Sequence, residues 1–230
     1  MHYLNIHTHH PLHDGETTIN AFGVHPWHLN DDATNGAAQV KEHIRAAIRA
    51  AGMNVLRDGQ GHPFAIGECG LDRLTAIPYD VQLAAFQAQI ELSEELGCPL
   101  ILHCVRAVDD VLRMKHGTRQ AWIFHGFRGK PQQMLQLLDH GFYISFGLHH
   151  NAESLSLCPA ERLFLETDDT PLPISSLYAT AAAQRGTTPE ALAAQCLQNL
   201  SSIGLTQTDL PARQGSSSQG TRGCEDDRTP

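Results

Sequence analysis

The stretch FAIGECGLD, residues 64–72, decides the fold, because a short apolar run leads directly into glycine and a carboxylate. Residues 64–66 predict a buried parallel strand, since such strands are short, continuous and apolar and are bounded by turn residues. Gly67 ends the run, and Glu68 follows it. The same arrangement, an apolar run followed by a polar side chain, recurs along the chain.

Six further apolar runs have this form. They lie at residues 4–6, 21–24, 100–102, 122–124, 142–146 and 163–165, and they lead into His7, His25, His103, His125, Gly147 and the triplet Glu166-Thr167-Asp168. Helical patterns lie between the runs: Val40, Ile44 and Ile48 share one face. Asp80 is a predicted helix cap, and Pro131 suits the first turn of a helix. The alternation predicts an α/β architecture with a parallel sheet, either a (β/α) barrel or an open doubly wound sheet.

The polar residues at the strand ends favour the barrel. A barrel gathers the carboxyl ends of all its strands around one mouth, where barrel enzymes keep their active sites, whereas an open sheet spreads them along an edge. The residues at these ends that suit metal binding are His7, His9, Glu68, His103, His125 and Asp168. We therefore predict a TIM-like (β/α) barrel, incomplete or distorted, with about seven clear strands.

These six residues predict a centre for two divalent metal ions. The predicted assignment is one ion on His7, His9 and Asp168, a second ion on His103 and His125, and Glu68 as the bridge between them. Imidazole and carboxylate donors suit Zn, Mn, Fe or Co, and Mg less well. In two-metal hydrolases such ions lie about 3.5–4 Å apart and activate a shared water. The predicted catalytic residues are Glu68 and Asp168, which accepts a proton from that water.

Basic residues follow the same strand ends and predict a site for an anion. They are Arg73, Arg106, Arg128 and Lys130. Because the guanidinium fork binds phosphate well, a cationic rim beside two metals suits a phosphodiester. His25 is predicted to contact the substrate rather than a metal. The role of Trp27 stays open between stacking on a base and forming a wall of the mouth.

Composition limits the classes of protein to which the chain can belong. The chain has 230 residues, 41% of them hydrophobic and 18% charged, which is typical of a globular protein. Its net charge of −9 argues against unspecific coating of nucleic acid. We expect one domain over residues 1–210 and a disordered tail over 211–230, where Ser, Gly and charged residues dominate. With no long apolar segment, no signal peptide and no paired cysteine motif, the expected location is cytoplasmic, away from membranes.

The motifs resemble those of the TatD family of metal-dependent deoxyribonucleases, in the amidohydrolase-like TIM-barrel superfamily. The matching motifs, in family order, are His7-Thr-His9, Gly23-Val-His25-Pro26, Gly67-Glu68-Cys-Gly-Leu-Asp72, Leu102-His103, His125-Gly-Phe, Tyr143-Ile-Ser-Phe-Gly147 and Glu166-Thr-Asp168. They cover roughly residues 4–203. The resemblance implies a TIM-like barrel, divalent metals at the positions above and hydrolysis of phosphodiester bonds, usually at DNA ends.

The sequence departs from the family pattern in three places, and the first of them changes the predicted substrate groove. Only residues 10–22 separate the two histidine motifs, which is too short for a βαβ crossover of about 30 residues. The usual His-x-Arg motif is lengthened, so that Arg106 is shifted by one position. Asp169 stands where a small residue before proline is common. The predicted metal ligands are unaffected.

Three functions remain in competition. The leading hypothesis is a nuclease that cleaves DNA with a two-metal-activated water, acting as a monomer without an obligate protein partner. An amidohydrolase, lactonase or phosphotriesterase-type enzyme for a small molecule is the alternative, but such sites often use a bridging lysine. Glu68 takes the bridging position at a strand end, and all three lysines, at 41, 115 and 130, lie elsewhere. A metal-stabilised scaffold is disfavoured because all six ligand positions are filled.

Overall fold

A computed structural model describes residues 2–29, 36–53 and 64–206. Its strands are β1 (Tyr3–Leu4), β2 (Glu16–Thr17), β3 (Asn20–Phe22), β4 (Phe64–Asp72), β5 (Leu100–Val105), β6 (Trp122–Phe124), β7 (Tyr143–Phe146) and β8 (Leu163–Leu165). Its helices are α1 (Ala37–Ala50), α2 (Tyr79–Leu96), α3 (Val108–Lys115), α4 (Pro131–Asp139), α5 (Ala152–Leu157), α6 (Ile174–Arg185) and α7 (Pro189–Ser202). Short 3-10 helices span Pro26–His28 and Ala160–Arg162.

The strands form a curled, parallel sheet of six strands and a separate parallel pair. Strands β3 to β8 pair in chain order, and β1 pairs with β2, all in parallel. Beyond β1, the Ile6 N–H donates to the Leu165 carbonyl at 3.1 Å, and the Asn5 N–H donates to the Thr17 carbonyl at 2.8 Å. Residues 3–9 therefore bridge β8 and β2. The predicted barrel is confirmed, and all seven predicted runs contain strand.

The shortened interval between the two histidine motifs has no helix. Strands β1 and β2 are parallel neighbours, yet only residues 5–15 connect them. The Tyr3 N–H donates to the Gly15 carbonyl at 2.8 Å, so the connection runs back along the full strand. The prediction that this interval is too short for a βα unit is confirmed, and β2 is the one strand that the pattern did not predict.

Helices pack on the outside of the sheet with the faces that the sequence predicts. Val40, Ile44 and Ile48 of α1 are buried, and Pro131 is the first residue of α4. The predicted cap of α2 is wrong: Pro78 holds that position and Asp80 lies in the first turn, where its charge still favours the positive helix end. The proline sets an extended backbone two residues earlier than the capping pattern suggested.

Strand β4 is longer than predicted and contains Glu68 instead of ending before it. Two glycines make this possible, because β4 and β5 approach so closely that a Cβ atom on Gly70 would lie 1.9 Å from the His103 carbonyl oxygen. The pairing register of the two strands shifts between Ile66 and Cys69. The carboxylate of Glu68 therefore lies within a strand, at the irregularity in its pairing, rather than on a loop.

Two further predictions concern the C-terminal tail and membrane-spanning helices. The predicted tail at 211–230 lies outside the described residues, and the domain boundary at 210 stays a prediction. Among the helices that the structure describes, none has the length and apolar character needed to cross a membrane.

Candidate metal centre

Glu68 is the centre of the candidate site, and imidazoles approach both of its oxygens. Its Oε1 lies 2.6 Å from His125 Nε2 and 2.8 Å from His103 Nδ1. Its Oε2 lies 3.2 Å from His7 Nε2 and 3.5 Å from His9 Nε2. The structure therefore brings the four predicted histidine ligands together around the predicted bridging carboxylate, although they come from three separate regions of the chain.

Asp168, the sixth predicted ligand, closes the cluster beside the N-terminal histidines. Its Oδ1 lies 3.8 Å from His7 Nε2 and 3.6 Å from His9 Nε2. The residue has a φ of 51°, a left-handed conformation that side chains other than glycine rarely adopt. Backbone hydrogen bonds hold it there, since its N–H donates to the His7 carbonyl and its carbonyl accepts from the His9 N–H. Burial raises the pKa of its carboxyl group.

His7 provides the test of whether these residues fit a metal. Its Nε2 is buried and makes no hydrogen bond with any described group, even though a carboxylate oxygen lies 3.2 Å away. A buried ring nitrogen without a hydrogen bond is costly. A metal ion would satisfy it, because neutral imidazole nitrogen is a common ligand of divalent transition metals. The donor set therefore fits the predicted metals, while their number and the division of ligands between them stay predictions.

The electrostatics of the cluster keep Glu68 charged. Burial alone would raise the pKa of this carboxyl, but hydrogen bonds from the imidazoles, those of His103 and His125 first, hold it well below its usual range. A permanently ionised carboxylate is the form that bridges two cations.

Glu166 is a functional residue that the sequence reasoning missed. It is fully buried, and its Oε1 lies 3.2 Å from His125 Nδ1 and accepts the Gly126 N–H at 2.6 Å. Its Oε2 accepts the Ser145 hydroxyl at 2.5 Å. A carboxylate behind a metal-binding histidine fixes the ring and its tautomer. The signal was available, because Glu166 directly follows the apolar run 163–165, as other site residues follow theirs.

Asp72 supports His103 in the same way and was also missed. Its Oδ2 lies 3.3 Å from His103 Nε2 and accepts the indole N–H of Trp27 at 2.7 Å. Its Oδ1 accepts the Leu74 N–H at 2.7 Å. Burial raises the pKa of this carboxyl, but these hydrogen bonds outweigh that effect and lower it. Asp72 follows Glu68 by four residues in β4, a spacing that also marks a shared face.

His25 occupies the edge of the cluster with its tautomer defined. It caps the 3-10 helix that follows it, and its Nδ1 accepts the Trp27 N–H at 3.2 Å. The proton of the neutral ring is therefore on Nε2, which lies 3.4 Å from Glu68 Oε1. Burial lowers the pKa of this imidazole, which favours the neutral form. A protonated Nε2 can donate a hydrogen bond to a substrate, as predicted, and the same ring lies close enough to Glu68 and His103 to share an ion with them.

A cavity of about 1330 Å³ opens over the cluster. Arg73, Arg106 and Arg128 line it as predicted, whereas Lys130 is exposed and is not among the lining residues. Arg106 and Arg128 have no ion-pair partner among the described residues. Arg73 differs, because its guanidinium donates to Asp110 at 2.6 Å. The structure therefore places three of the four predicted rim cations beside the metal centre.

The fold and the donors define a class: a (β/α) barrel whose strand ends carry the histidines and carboxylates typical of metal-dependent hydrolases. The sequence profile of one family in this class, described as TatD related DNase, matches residues 12–203. The chain belongs to the TatD related DNase family, as its motifs predict. The match begins after His7 and His9, so the fold alone places these two residues in the site.

Two relatives and two solved structures agree with this assignment. A TATDN1 homolog of Enterocytozoon bieneusi is 30% identical over 171 residues, which are 72% of this chain and 61% of that protein. The 3'-5' ssDNA/RNA exonuclease TatD of Erwinia billingiae is 31% identical over 208 residues, 77% of this chain and 74% of the relative. This chain therefore spans less than two thirds of the first relative's length.

The solved structures support the fold. The Escherichia coli k12 TatD homolog YJJV superposes with a TM-score of 0.62 at 21% identity, over 84% of this chain and 78% of that one. A TatD family hydrolase of Entamoeba histolytica gives a TM-score of 0.62 at 16% identity, over 82% and 74% of the two chains.

Proposed function

We propose that this protein hydrolyses phosphodiester bonds in DNA with two divalent metal ions. The observation that carries the proposal is the convergence of four histidines on Glu68, with Asp168 beside His7 and His9. Above them lies a cavity whose lining includes Arg106 and Arg128, which have no ion-pair partner among the described residues. A centre of this kind binds cations, and the rim binds anions. A phosphodiester meets both requirements, because its charge is attracted by the rim and its phosphorus is attacked at the metal centre.

The ligands divide into two sets around the bridge. His7, His9 and Asp168 would hold one cation, His103 and His125 the other, and Glu68 would contact both. When bound, the cations would lower the pKa of a water molecule and offset the charge that develops on the phosphate. Glu166 and Asp72 keep two of the ligand rings oriented from behind.

The remaining residues act on the substrate and on protons. Asp168 lies at the opening of the cluster, where its carboxylate would accept a proton from the attacking water. His25 donates its Nε2 proton in a hydrogen bond to a phosphate oxygen. Arg106 and Arg128 hold the flanking phosphates through their guanidinium groups.

The names of the relatives suggest the first substrate to test. The Erwinia billingiae relative is called a 3'-5' exonuclease for single-stranded DNA and RNA. Single-stranded ends also suit a chain with a net charge of −9, because only a small basic mouth has to contact them. We therefore propose strand ends as the preferred substrate, and we keep the predicted monomeric state and cytoplasmic location as predictions.

The small-molecule hydrolase remains the weaker alternative because no lysine lies near the bridge. Lys41 pairs with Glu91 and Glu95 on the surface, and Lys115 donates to the Gln120 carbonyl. Lys130 lies outside the cavity lining. A bridging carbamylated lysine, which many of those enzymes use, therefore has no candidate here.

The direct test is cleavage of end-labelled single- and double-stranded DNA with Mg, Mn or Zn. Glu68→Ala should remove the activity, whereas Glu153→Ala, at an exposed position on α5, should keep it. Equal cleavage by Glu68→Ala would assign the activity to a contaminant, and no cleavage by the unaltered protein would reject the nuclease. Less than one metal ion per chain after metal supplementation would reject the two-metal centre.

A further inference from the structure

Trp27 is exposed at the mouth of the site, where an indole is costly to expose. Its side chain belongs to the cavity lining, and the residue is 58% exposed. Indole is large and apolar, so leaving much of it in water forgoes the free energy that burial would provide. The other tryptophan, Trp122, is fully buried. Its place in the cavity lining, in contrast to the buried Trp122, makes the exposed face of Trp27 a candidate contact surface.

The indole is also held in place. Its N–H donates to Asp72 at 2.7 Å, and Asp72 is itself only 2% exposed and accepts the Leu74 N–H. The edge of the ring packs against His25, with centroids 4.9 Å apart and planes at 88°. Because the polar end is fixed inside and the edge is packed, the ring cannot turn away from the cavity.

The position of the ring relates it to the reaction centre. Its centroid is 5.9 Å from that of His103, one of the candidate metal ligands. The guanidinium groups of Arg106 and Arg128 belong to the same cavity lining and have no ion-pair partner among the described residues. A fixed aromatic face beside free cations is the combination with which proteins bind single-stranded nucleic acid.

We propose that Trp27 is the stacking surface for one base of the substrate, at or next to the nucleotide that is cleaved. This inference rests on the proposed nuclease function and adds the subsite that holds the base. Every base offers a π-face, so stacking on Trp27 distinguishes a base from its absence but hardly one base from another. Cleavage should therefore depend little on sequence and strongly on the presence of that base.

Binding can be measured without cleavage through the fluorescence of Trp27. The chain has only one other tryptophan, Trp122, which can be replaced. In Trp122→Phe, the remaining fluorescence comes from Trp27 alone. A dye-labelled phosphorothioate oligonucleotide, which resists hydrolysis, reports binding by anisotropy with Mn present. We expect quenching of the Trp27 fluorescence that saturates at the same concentration as the anisotropy. Binding without quenching would overturn the stacking subsite and leave the nuclease proposal intact, whereas no change in either signal would count against both.

Kinetics on intact and abasic substrates separates stacking from a structural role of the indole. The unaltered protein should cleave a strand end with its base better than the abasic equivalent, by about 5-fold to 150-fold, the range that base–aromatic stacking provides. Trp27→Ala should abolish this ratio. Trp27→Phe should keep most of it, although both variants lose the N–H bond to Asp72. Equal losses on both substrates in both variants would show that Trp27 acts only through Asp72 and would overturn the proposal.

Discussion

Two groups of residues are adjacent at the site but are organised in opposite ways. We call the candidate ligands around Glu68 the metal layer, and we call the cavity arginines Arg73, Arg106 and Arg128 the rim. In the metal layer, His125 and His103 are each backed by a buried carboxylate. In the rim, Arg106 and Arg128 have no ion-pair partner among the described residues, and Arg73 alone is tied to a carboxylate. The layer is therefore oriented before any ligand arrives, whereas most of the rim is left free to follow the substrate.

The difference matches what the two parts would bind in the proposed function. A metal centre works only when its ligands are held to within a fraction of an ångström, which needs support from behind. A nucleic-acid backbone is flexible and offers phosphates at variable positions, so unpaired guanidinium groups suit it better than fixed ones. The comparison predicts the largest losses of function in variants of the supporting carboxylates Glu166 and Asp72, and smaller losses in variants of the rim arginines.

Glu166→Gln should have the largest effect. The amide cannot accept all the hydrogen bonds that the carboxylate accepts, so the His125 ring loses its fixed tautomer. Metal affinity should fall by about 10- to 100-fold, as for other residues that support a ligand. Calorimetric titration of the metal-free protein with Zn or Mn measures the change, and Glu153→Gln on the surface is the matched control. Unchanged affinity in Glu166→Gln would remove the distinction between layer and rim.

Arg128→Ala should come next, and its effect should depend on salt. Loss of one phosphate contact should raise KM several-fold and reduce the slope of log affinity against log salt by about 1. Initial rates and oligonucleotide binding over a series of salt concentrations provide the measurement. Arg49→Ala, on α1 outside the cavity, is the control for a change in net charge. An equal response of both variants would mean that Arg128 is not a phosphate contact.

Arg73→Ala should raise KM less than Arg128→Ala does. The Arg73 guanidinium is paired with Asp110 and stacks 4.0 Å above the Tyr79 ring, so it has less freedom to meet a phosphate. Parallel measurements of KM for the two variants test this order. A larger effect of Arg73→Ala would identify the paired arginine as the main phosphate contact and reverse our interpretation of the rim.

Asp110→Asn should give the smallest effect, and it concerns stability against acid. The hydrogen bond from Tyr79, together with the bond from Arg73, lowers the pKa of Asp110 below its ordinary value of 3.8. Because the folded protein binds this proton less readily than the unfolded chain, Asp110 stabilises the fold above pH 3.8 and loses this contribution as the pH falls. Urea unfolding between about pH 2 and pH 6 should show a weaker loss of stability in Asp110→Asn than in the unaltered protein. If the stability of both proteins fell equally with decreasing pH, the result would contradict this role of Asp110.

The candidate metal ligands could be predicted from the sequence because they follow a local rule. Each candidate ligand comes at or near the end of an apolar run, and a parallel barrel brings such ends together. Glu166 and Asp72 were missed because they interact behind the ligands, with rings that the chain order places 41 and 31 positions away. The pairing of Arg73 with Asp110 was equally beyond the pattern, since it depends on how α3 packs beside β4. Periodicity shows which face a residue occupies, but it does not show which partner on that face it meets.

Closure of the barrel by residues 3–9 has a consequence for how the protein is made. The Asn5 side chain donates to Thr167, 162 positions later, and the neighbouring His7 and His9 meet Asp168 across the same seam. At translation rates of 5–20 residues per second, roughly 10–30 s separate the synthesis of the two sides. A nascent chain that lacks β8 therefore carries some of the candidate ligands without the complete candidate metal centre. The complete set of candidate ligands comes together only once β8 has been synthesised and has docked against residues 3–9.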